Sequence, residues 1–154
     1  MENNILELLE ENGIQIENPN FKIEQKHNHV YLSLYGESSI ISGNFGSTFI
    51  HLYDNASIKG GEFGNVSNVV LYDNSHIEGG NFNGDISLYD NTFINEGVLN
   101  CYVYLDVDSK MINADLGNCY GVIISNGWHY DNLTIELLDE SGIDYRFEPI
   151  EINV

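Results

Sequence analysis

Acidic residues recur at a nearly constant spacing in this chain, within the motif Leu-Tyr-Asp-Asn. The motif occurs three times and places Asp54, Asp73 and Asp90 at equivalent positions. Aligned carboxylates could bind calcium, or one could act as a general acid and another as a general base. The glycine-rich nonapeptide pattern of calcium-binding β-rolls is absent, and no distinguishing neighbour marks an acid–base pair. We therefore interpret these aspartates as turn-forming residues, since aspartate bonds to its own main chain and tolerates left-handed backbone.

A tyrosine precedes each of these aspartates. The row consists of Tyr53, Tyr72 and Tyr89, and Tyr35 occupies the same position in a weaker copy. We expect the side chains to point outward and to stack, a common structural arrangement because each ring covers its neighbour's face. A platform for sugars or bases is the alternative, although the charge of the chain opposes nucleic acid.

Histidine and cysteine add little further chemistry. His27 and His29 could chelate a metal from one strand, but an isolated pair is a weak signal. Cys101 and Cys119 lie 18 residues apart, which favours stacked, buried thiols over a disulfide, the alternative that the sequence leaves open. The sequence has no nucleotide-binding glycine loop, Walker motif or nucleophile elbow. It therefore predicts no enzyme activity, no cofactor and no metal site.

These residues belong to a repeat that covers about residues 34 to 116. Its five copies start at intervals of 18, 19, 17 and 17 residues, and each is numbered here from its leucine as position zero. Five further columns hold apolar or small residues. They are Leu32, Ile50, Val69, Ile86 and Val103 at −2; Ser38, Ala56, Ser75, Thr92 and Ser109 at +4; Ile40, Ile58, Ile77, Ile94 and Met111 at +6; Gly43, Gly61, Gly80, Gly97 and Ala114 at +9; and Phe45, Phe63, Phe82, Leu99 and Leu116 at +11.

The columns predict an all-β fold. Apolar residues alternate in three short bursts per copy, and alternation of period two is typical of β-strands. Asp-Asn at +2 and +3 predicts one corner, and glycine at +9 predicts a second. Three strands and three corners every 17 to 19 residues indicate a single-stranded parallel β-helix of about five to six coils. The offsets do not fit the hexapeptide rule of left-handed forms, so we favour the right-handed form.

We expect one domain over residues 1–154, with regular coils at residues 34–121 and a cap at each end. Residues 3–13 predict a short helix that ends at Gly13 and covers the first coil. Residues 14–33 predict an irregular first coil.

The C-terminal cap, residues 122–154, predicts a degenerate coil followed by a β-hairpin. Val122 fits position zero of a sixth copy, with Trp128 at its +6 position. Alternation at residues 133–137 and again at 143–147 predicts the two strands of the hairpin. An alternative is that the edge of this cap pairs with a second chain and gives an end-to-end homodimer.

From Tyr53 to Gly61 the sequence reads Tyr-Asp-Asn-Ala-Ser-Ile-Lys-Gly-Gly, which resembles the Tyr-Asp-Asn-Ala repeats of bacterial and phage parallel β-helix proteins. The resemblance covers about residues 34 to 116 and implies the fold, without a specific activity. In shape and acidity the chain is also similar to pentapeptide-repeat proteins, which mimic DNA and inhibit topoisomerase. It departs from their five-residue pattern throughout, so none of their functional residues is carried over.

The chain carries 24 acidic and five basic residues, a net charge of −19. Six coils about 4.8 Å apart form a rod of roughly 25–30 Å, a length over which duplex DNA carries roughly 15–18 negative charges. Direct binding to nucleic acid or to an anionic membrane is therefore disfavoured, and a basic partner protein is favoured. The alternative is that the acidity keeps a repetitive, strand-rich protein soluble.

Three hypotheses for function follow from these observations. The first is a non-enzymatic inhibitor, immunity or anti-defence protein that mimics nucleic acid and blocks the basic surface of a nucleic-acid-handling enzyme or effector complex. The second is a structural module that assembles end to end, and the third is a carbohydrate-binding β-helix that uses the tyrosines. Candidate contact residues for the first are Glu37, Asp54, Asp73, Asp90, Asp106 and Asp108 with Tyr53, Tyr72 and Tyr89, whereas Glu62, Glu78 and Asp85 are expected on another side.

The sequence also bears on location. No apolar run approaches the roughly 18 residues of a membrane span, and the first residues lack the basic start and apolar stretch of a secretory signal. We therefore expect a cytoplasmic protein.

Overall fold

The alternating residues of each copy form short strands whose apolar side chains point to one interior. The computed structural model describes residues 9–106, 108–125 and 132–148. In these residues the chain winds into a β-solenoid of about five turns, so the prediction of an all-β parallel helix is confirmed.

Three sheets form the walls of the solenoid, and each regular turn passes through all three. Sheet I contains β1 (Gln15–Glu17), β4 (Ser39–Ser42), β6 (Ser57–Ile58), β9 (His76–Ile77), β12 (Phe93–Ile94) and β15 (Lys110–Met111). Sheet II contains β7 (Glu62–Phe63), β10 (Asn81–Phe82) and β13 (Val98–Leu99). Sheet III contains β2 (Phe21–Lys26), β3 (His29–Leu34), β5 (Phe49–Leu52), β8 (Asn68–Leu71), β11 (Asp85–Leu88), β14 (Tyr102–Leu105), β16 (Gly121–Ser125) and β17 (Tyr145–Glu148).

The parallel register stacks the repeat columns directly on one another. Ile50 pairs with Val69, Val69 with Ile86, and Ile86 with Val103. Phe63 lies between two other phenylalanines, whose ring centroids are 4.8 and 4.5 Å from its own. All side chains in the columns at −2, 0, +6 and +11 are at most 3% exposed. They form one continuous core along the axis.

The chain turns three corners in each coil. Corner 1 (positions +1 to +4) leads from sheet III to sheet I, corner 2 (positions +7 to +9) from sheet I to sheet II, and corner 3 from sheet II back to sheet III. The small residue at +4 is buried inside corner 1. In two copies its hydroxyl donates to the main chain three residues earlier, as Ser75 Oγ does to Tyr72 O and Ser109 Oγ does to Asp106 O, each at 2.7 Å.

The first four copies have glycine at +9 in corner 2, and two observations explain it. Gly61 and Gly80 have φ of 126 and 113°, a conformation that residues with a side chain rarely adopt. A Cβ on Gly80 would also lie only 2.9 Å from the ring of Phe82. The glycine column therefore makes room for the phenylalanine column.

The variation in repeat length lies wholly in corner 3. Every copy keeps the same offset from position zero to +11, whereas the next −2 position follows after four to six residues. Val122 pairs with Val103 and therefore occupies position −2 of the next copy. The last corner 3, from Leu116 to Val122, is thus as long as the longest of the earlier ones. Ile124 is then position zero. The prediction that Val122 is position zero is wrong by two residues, and Trp128 lies outside the described residues.

The N-terminal cap ends where the sequence predicts. Helical residues 9–11 are followed by Gly13, whose φ is 65°. The amide of Ile14 donates to the carbonyl of Leu9 (2.8 Å) across this glycine, which is the Schellman motif that ends many helices. Residues 3–8 of the predicted helix lie outside the described part of the chain.

Residues 14–33, for which the sequence predicts an irregular first coil, hold β1, β2 and most of β3, and β1 and β2 run antiparallel to their neighbours. β1 pairs with β4, and β2 pairs with β3 in a hairpin. His27 and Asn28 form the two-residue hairpin turn, both with positive φ (51 and 67°). His27 therefore lies in a turn, whereas His29 begins β3 and meets the ring of Phe49 edge-on at 5.1 Å.

The predicted C-terminal β-hairpin is wrong. Asn132–Ser141 form helix α1, and β17 follows it and pairs in parallel with β16. Residues 133–137 suggest strand alternation, but Leu138 breaks the pattern. Thr134 and Leu138, one helical turn apart, are both 0% exposed, so the segment buries a helical face and not a strand face.

Helix α1 closes sheet I through one hydroxyl group. Thr134 Oγ1 accepts a hydrogen bond from Met111 N (3.0 Å) and donates one to Met111 O (2.9 Å). Met111 lies in β15, the last strand of sheet I, so Thr134 takes both bonds that a further strand would make. The helix ends at Ser141 and is followed by Gly142 (φ 68°), across which Ile143 N donates to Leu138 O at 3.2 Å, the same motif as in the N-terminal cap.

Candidate partner-binding surface

Corner 1 holds the predicted aspartates in a ladder of hydrogen bonds. Asp54, Asp73 and Asp90 have φ of 56, 61 and 58°. Their Oδ2 atoms accept from the amides of Gly36, Asp54 and Asp73 respectively, each at 2.9 Å. Each carboxylate thus bonds to the corner of the preceding turn. The interpretation of these residues as turn-forming is confirmed, because the position needs both an acceptor and left-handed backbone.

The six acidic residues predicted as contacts lie along this one edge of the solenoid. Asn55 extends the ladder, since its Nδ2 donates to Glu37 Oε1 at 3.1 Å. Asp106 is half-buried at the start of corner 1 in the fifth copy, and Asp108 is exposed at +3. We call this edge the carboxylate ridge, and its members are Glu37, Asp54, Asp73, Asp90, Asp106 and Asp108.

The ion pairs between described residues lie away from the carboxylate ridge. They are Lys22–Glu24 at 2.6 Å, Lys26–Glu24 at 3.0 Å, Lys59–Glu17 at 4.0 Å and His76–Glu78 at 3.1 Å. Salt in the solvent screens exposed charges such as those of the ridge.

The predicted tyrosine row forms a stack beside the carboxylate ridge. Tyr35, Tyr53, Tyr72 and Tyr89 follow one another with ring centroids 5.1, 5.1 and 5.5 Å apart and planes within 11°. Burial raises the pKa of Tyr53 and Tyr72, because it disfavours the phenolate. His51 lies against these two rings, and burial lowers its pKa. The stacking prediction is confirmed, and the rings of the stack largely cover one another's faces.

The other acidic residues singled out in the sequence do not form a second row. Glu62 lies in β7 of sheet II, and Asp85 lies in β11 of sheet III. Glu78 follows β9 and contacts His76. The expectation that all three share one side is wrong, because their offsets of +10, −3 and +7 fall on different walls.

The two cysteines occupy neighbouring turns as free thiols, and Cys101 is buried as predicted whereas Cys119 is half-buried. Cys119 Sγ donates to Cys101 O at 3.2 Å. Burial raises the pKa of both thiols, so the nucleophilic thiolate is suppressed at neutral pH.

A groove of about 470 Å³ lies on the outer face of sheet III, near its C-terminal end. We call it the tyrosine groove, formed by Tyr102, Tyr104, Tyr120 and Gly121. The three tyrosines are 48, 44 and 65% exposed. Tyr102 and Tyr120 meet edge to face, at 60° with centroids 5.5 Å apart, which leaves ring faces open in a way that the parallel stack does not.

Sequence reasoning misses these tyrosines because they stand outside the repeated row. In the fifth copy the +1 position is Asp106, and the tyrosines stand at −3 and −1 instead. The alternation of Tyr102 and Tyr104 with inward-pointing Val103 and Leu105 is the signal that identifies them as an exposed aromatic pair.

Within residues 9–106, 108–125 and 132–148, no group of three or more histidine, cysteine, aspartate or glutamate side chains is arranged to hold a metal ion. No helix in those ranges is long and apolar enough to cross a membrane. Comparison of the chain with protein-family models, curated proteins and solved structures finds no match.

Proposed function

We propose that this protein is a non-enzymatic binding protein whose carboxylate ridge occupies the basic, nucleic-acid-binding surface of a partner protein. The observation that carries the proposal is the ridge itself, in which six acidic residues follow one edge of a regular solenoid. Acidic side chains repeated once per turn present negative charge at regular intervals, as a nucleic-acid backbone does. The proposed role is an inhibitor, immunity or anti-defence protein that mimics nucleic acid.

The ridge is ordered before any partner binds. Asp54, Asp73 and Asp90 each use one carboxylate oxygen to accept a main-chain amide. The side chains therefore lose little conformational freedom on binding, which lowers the entropic cost of association. A carboxylate has about four acceptor positions, so each keeps capacity for an arginine or lysine of the partner.

The charge of the whole molecule supports the same role. A net charge of −19 attracts a basic surface over long range, which speeds association at low salt. Charge complementarity of this kind also excludes acidic competitors, since juxtaposed like charges are costly.

The two alternative functions have weaker support. For end-to-end assembly, Thr134 already occupies the donor and the acceptor of Met111 at the end of sheet I. For carbohydrate binding through the tyrosine row, the parallel stack leaves few open ring faces on which a sugar could lie.

The first experiment identifies the partner and measures its dependence on the ridge. Immobilised protein is exposed to host lysate at low salt, bound proteins are eluted along a salt gradient, and proteins retained to high salt are purified. Their affinity for the wild-type chain is then measured by calorimetry at several salt concentrations.

Two triple variants separate the ridge from the total charge. The ridge variant is Asp54→Asn with Asp73→Asn and Asp90→Asn, which keeps an acceptor oxygen and a residue tolerant of left-handed backbone. The control variant is Glu62→Gln with Glu96→Gln and Asp115→Asn, three exposed residues near sheet II. Both variants change the net charge by the same amount.

We expect the ridge variant to bind more weakly and with a shallower salt dependence than the control. At about 0.5–1 kcal/mol per exposed charge pair, three lost pairs raise Kd by roughly 10- to 100-fold. Equal affinities for the two variants would refute the proposal, because only the total charge would then matter. Loss of every retained protein early in the gradient would refute it as well.

A further inference from the structure

The tyrosine groove differs from the tyrosine stack in what it offers to a ligand. Its three tyrosines are each more than 40% exposed, and Tyr102 and Tyr120 stand edge to face. An open aromatic face carries partial negative charge and attracts a cation. An arginine side chain suits such a face, because the planar guanidinium stacks on it.

Two carboxylates stand at the same groove. Asp85 and Asp144 both line it, and Asp85 Oδ1 is fixed there by accepting a hydrogen bond from Tyr102 N at 3.2 Å. A carboxylate accepts the parallel N–H groups of a guanidinium in two hydrogen bonds. Arg146 also lines the groove, so its local charge is −1 from these three residues, within a chain of net −19. This balance favours a cation over an anion.

We propose that the tyrosine groove is an anchor site for an arginine side chain of the basic partner. The inference rests on the proposed function, because it names the group through which that partner binds. Arginine and tyrosine are both enriched among the residues that dominate binding energy in protein interfaces. The groove would thus bind one specific side chain of the partner, whereas the carboxylate ridge would attract its basic surface through negative charge spread along the solenoid.

Gly121 provides a way to close the groove without removing any of the recognition groups. It pairs with Tyr102 in sheet III and is buried at the base of the groove. A Cβ built on Gly121 would lie 3.5 Å from the Tyr102 ring and 3.5 Å from Asp144 O, which is ordinary contact. The Cβ of Gly121→Val therefore has room in the strand, where β-branched residues are favoured. The Cβ lies beside the Tyr102 ring, so we expect the added methyl groups to fill the space that the guanidinium needs.

The test uses small probes and the full chain, so it needs no partner. N-acetyl-arginine amide is titrated into the protein, and the ring signals of Tyr102, Tyr104 and Tyr120 are followed by NMR. The matched neutral probe is N-acetyl-citrulline amide, which has nearly the same shape without the charge. Gly121→Val and Tyr120→Leu are compared with Tyr31→Leu, a control on the same sheet that lies outside the groove.

We expect the arginine probe to bind about tenfold more tightly than the citrulline probe, with lower affinity at high salt. Gly121→Val and Tyr120→Leu should lose the binding, and Tyr31→Leu should keep it. Equal shifts with both probes, or unchanged binding in Gly121→Val, would overturn the assignment. This result would not change the calorimetric comparison of the ridge and control triple variants. Equal affinities in that comparison would likewise not change the binding of the arginine probe, so the two proposals are tested separately.

Discussion

Replacement of Asp73 by alanine and, separately, by asparagine distinguishes the structural role of the carboxylate ridge from its charge. Asp73 adopts φ of 61°, and its Oδ2 accepts from Asp54 N at 2.9 Å. Alanine removes the acceptor and is strained in left-handed backbone. Asparagine removes only the charge, because its amide oxygen can accept the same hydrogen bond and asparagine tolerates this conformation.

The magnitudes follow from these contacts. A net hydrogen bond contributes about 0.5–1.5 kcal/mol, and left-handed backbone costs alanine about 1–2 kcal/mol. Asp73→Ala should therefore lower the free energy of unfolding by about 1.5–3.5 kcal/mol. Asparagine loses some strength in the bond but gains relief from repulsion by Asp54 and Asp90. For two unit charges separated by about one strand spacing, roughly 5 Å, this repulsion is about 0.8 kcal/mol in water before screening. Asp73→Asn should therefore match the wild type within about 0.5 kcal/mol.

Urea unfolding followed by circular dichroism measures both values, and hydrogen exchange at the Asp54 amide reports the local bond. We expect faster exchange at this amide in Asp73→Ala and wild-type exchange in Asp73→Asn. If alanine and asparagine give the same free energy of unfolding, the carboxylates do not hold corner 1. The explanation of the repeated aspartate would then be wrong.

Three further outcomes follow from the structure. Phe63→Ala should cost about 3–5 kcal/mol, because Phe63 is fully buried between two rings, whereas Phe63→Leu should cost clearly less in the same unfolding assay. Thr134→Val should cost about 2–4 kcal/mol, since it leaves the buried amide and carbonyl of Met111 without partners; Thr134→Ser should restore the stability and the slow exchange of the Met111 amide. Burial lowers the folded-state pKa of His51 below its ordinary 6.5, so the unfolded chain binds the proton more readily. Stability from this residue is thus complete above pH 6.5 and declines as pH falls toward the lowered value; His51→Gln should flatten that part of the stability–pH curve, and an unchanged curve would contradict this reading.

The repeat makes most of this fold predictable from sequence. The inward columns bury the core, the corner glycines adopt positive φ, and the corner aspartates accept main-chain hydrogen bonds. These separate requirements predict the same coil in successive copies of the repeat. The caps lack such repetition, so only local propensity guides their prediction. Two segments of the chain, residues 7–14 and 136–143, have nearly the same sequence. They differ only by Glu10 against Asp139 and by Asn12 against Ser141, yet the alternation of apolar residues favours a strand for the second segment. Contact with the last turn buries Leu138 and selects a helix there.

The candidate site was predictable in part for the same reason. The carboxylate ridge follows from residues that recur at one corner, so its alignment can be derived from the spacing alone. The tyrosine groove depends on residues of β11, β14 and β16 that occur once each and are brought together by register. That register depends on the length of corner 3, which varies from copy to copy, so the spacing of the repeat does not show that Val122 pairs with Val103.

Corner 3 gives the molecule one edge along which its chain length can change. Corner 1 is fixed by the aspartate ladder and corner 2 by glycine, whereas corner 3 already differs in length from turn to turn. Its tip includes Val66, which is 67% exposed. A short polar insertion beside Val66 should lengthen the loop at a cost of a few tenths of a kcal/mol, whereas the same insertion after Asp54 should disrupt folding. Peptides inserted at corner 3 of successive turns would therefore be spaced one coil apart along this edge. The carboxylates of the ridge, which lie at corner 1, would be unchanged.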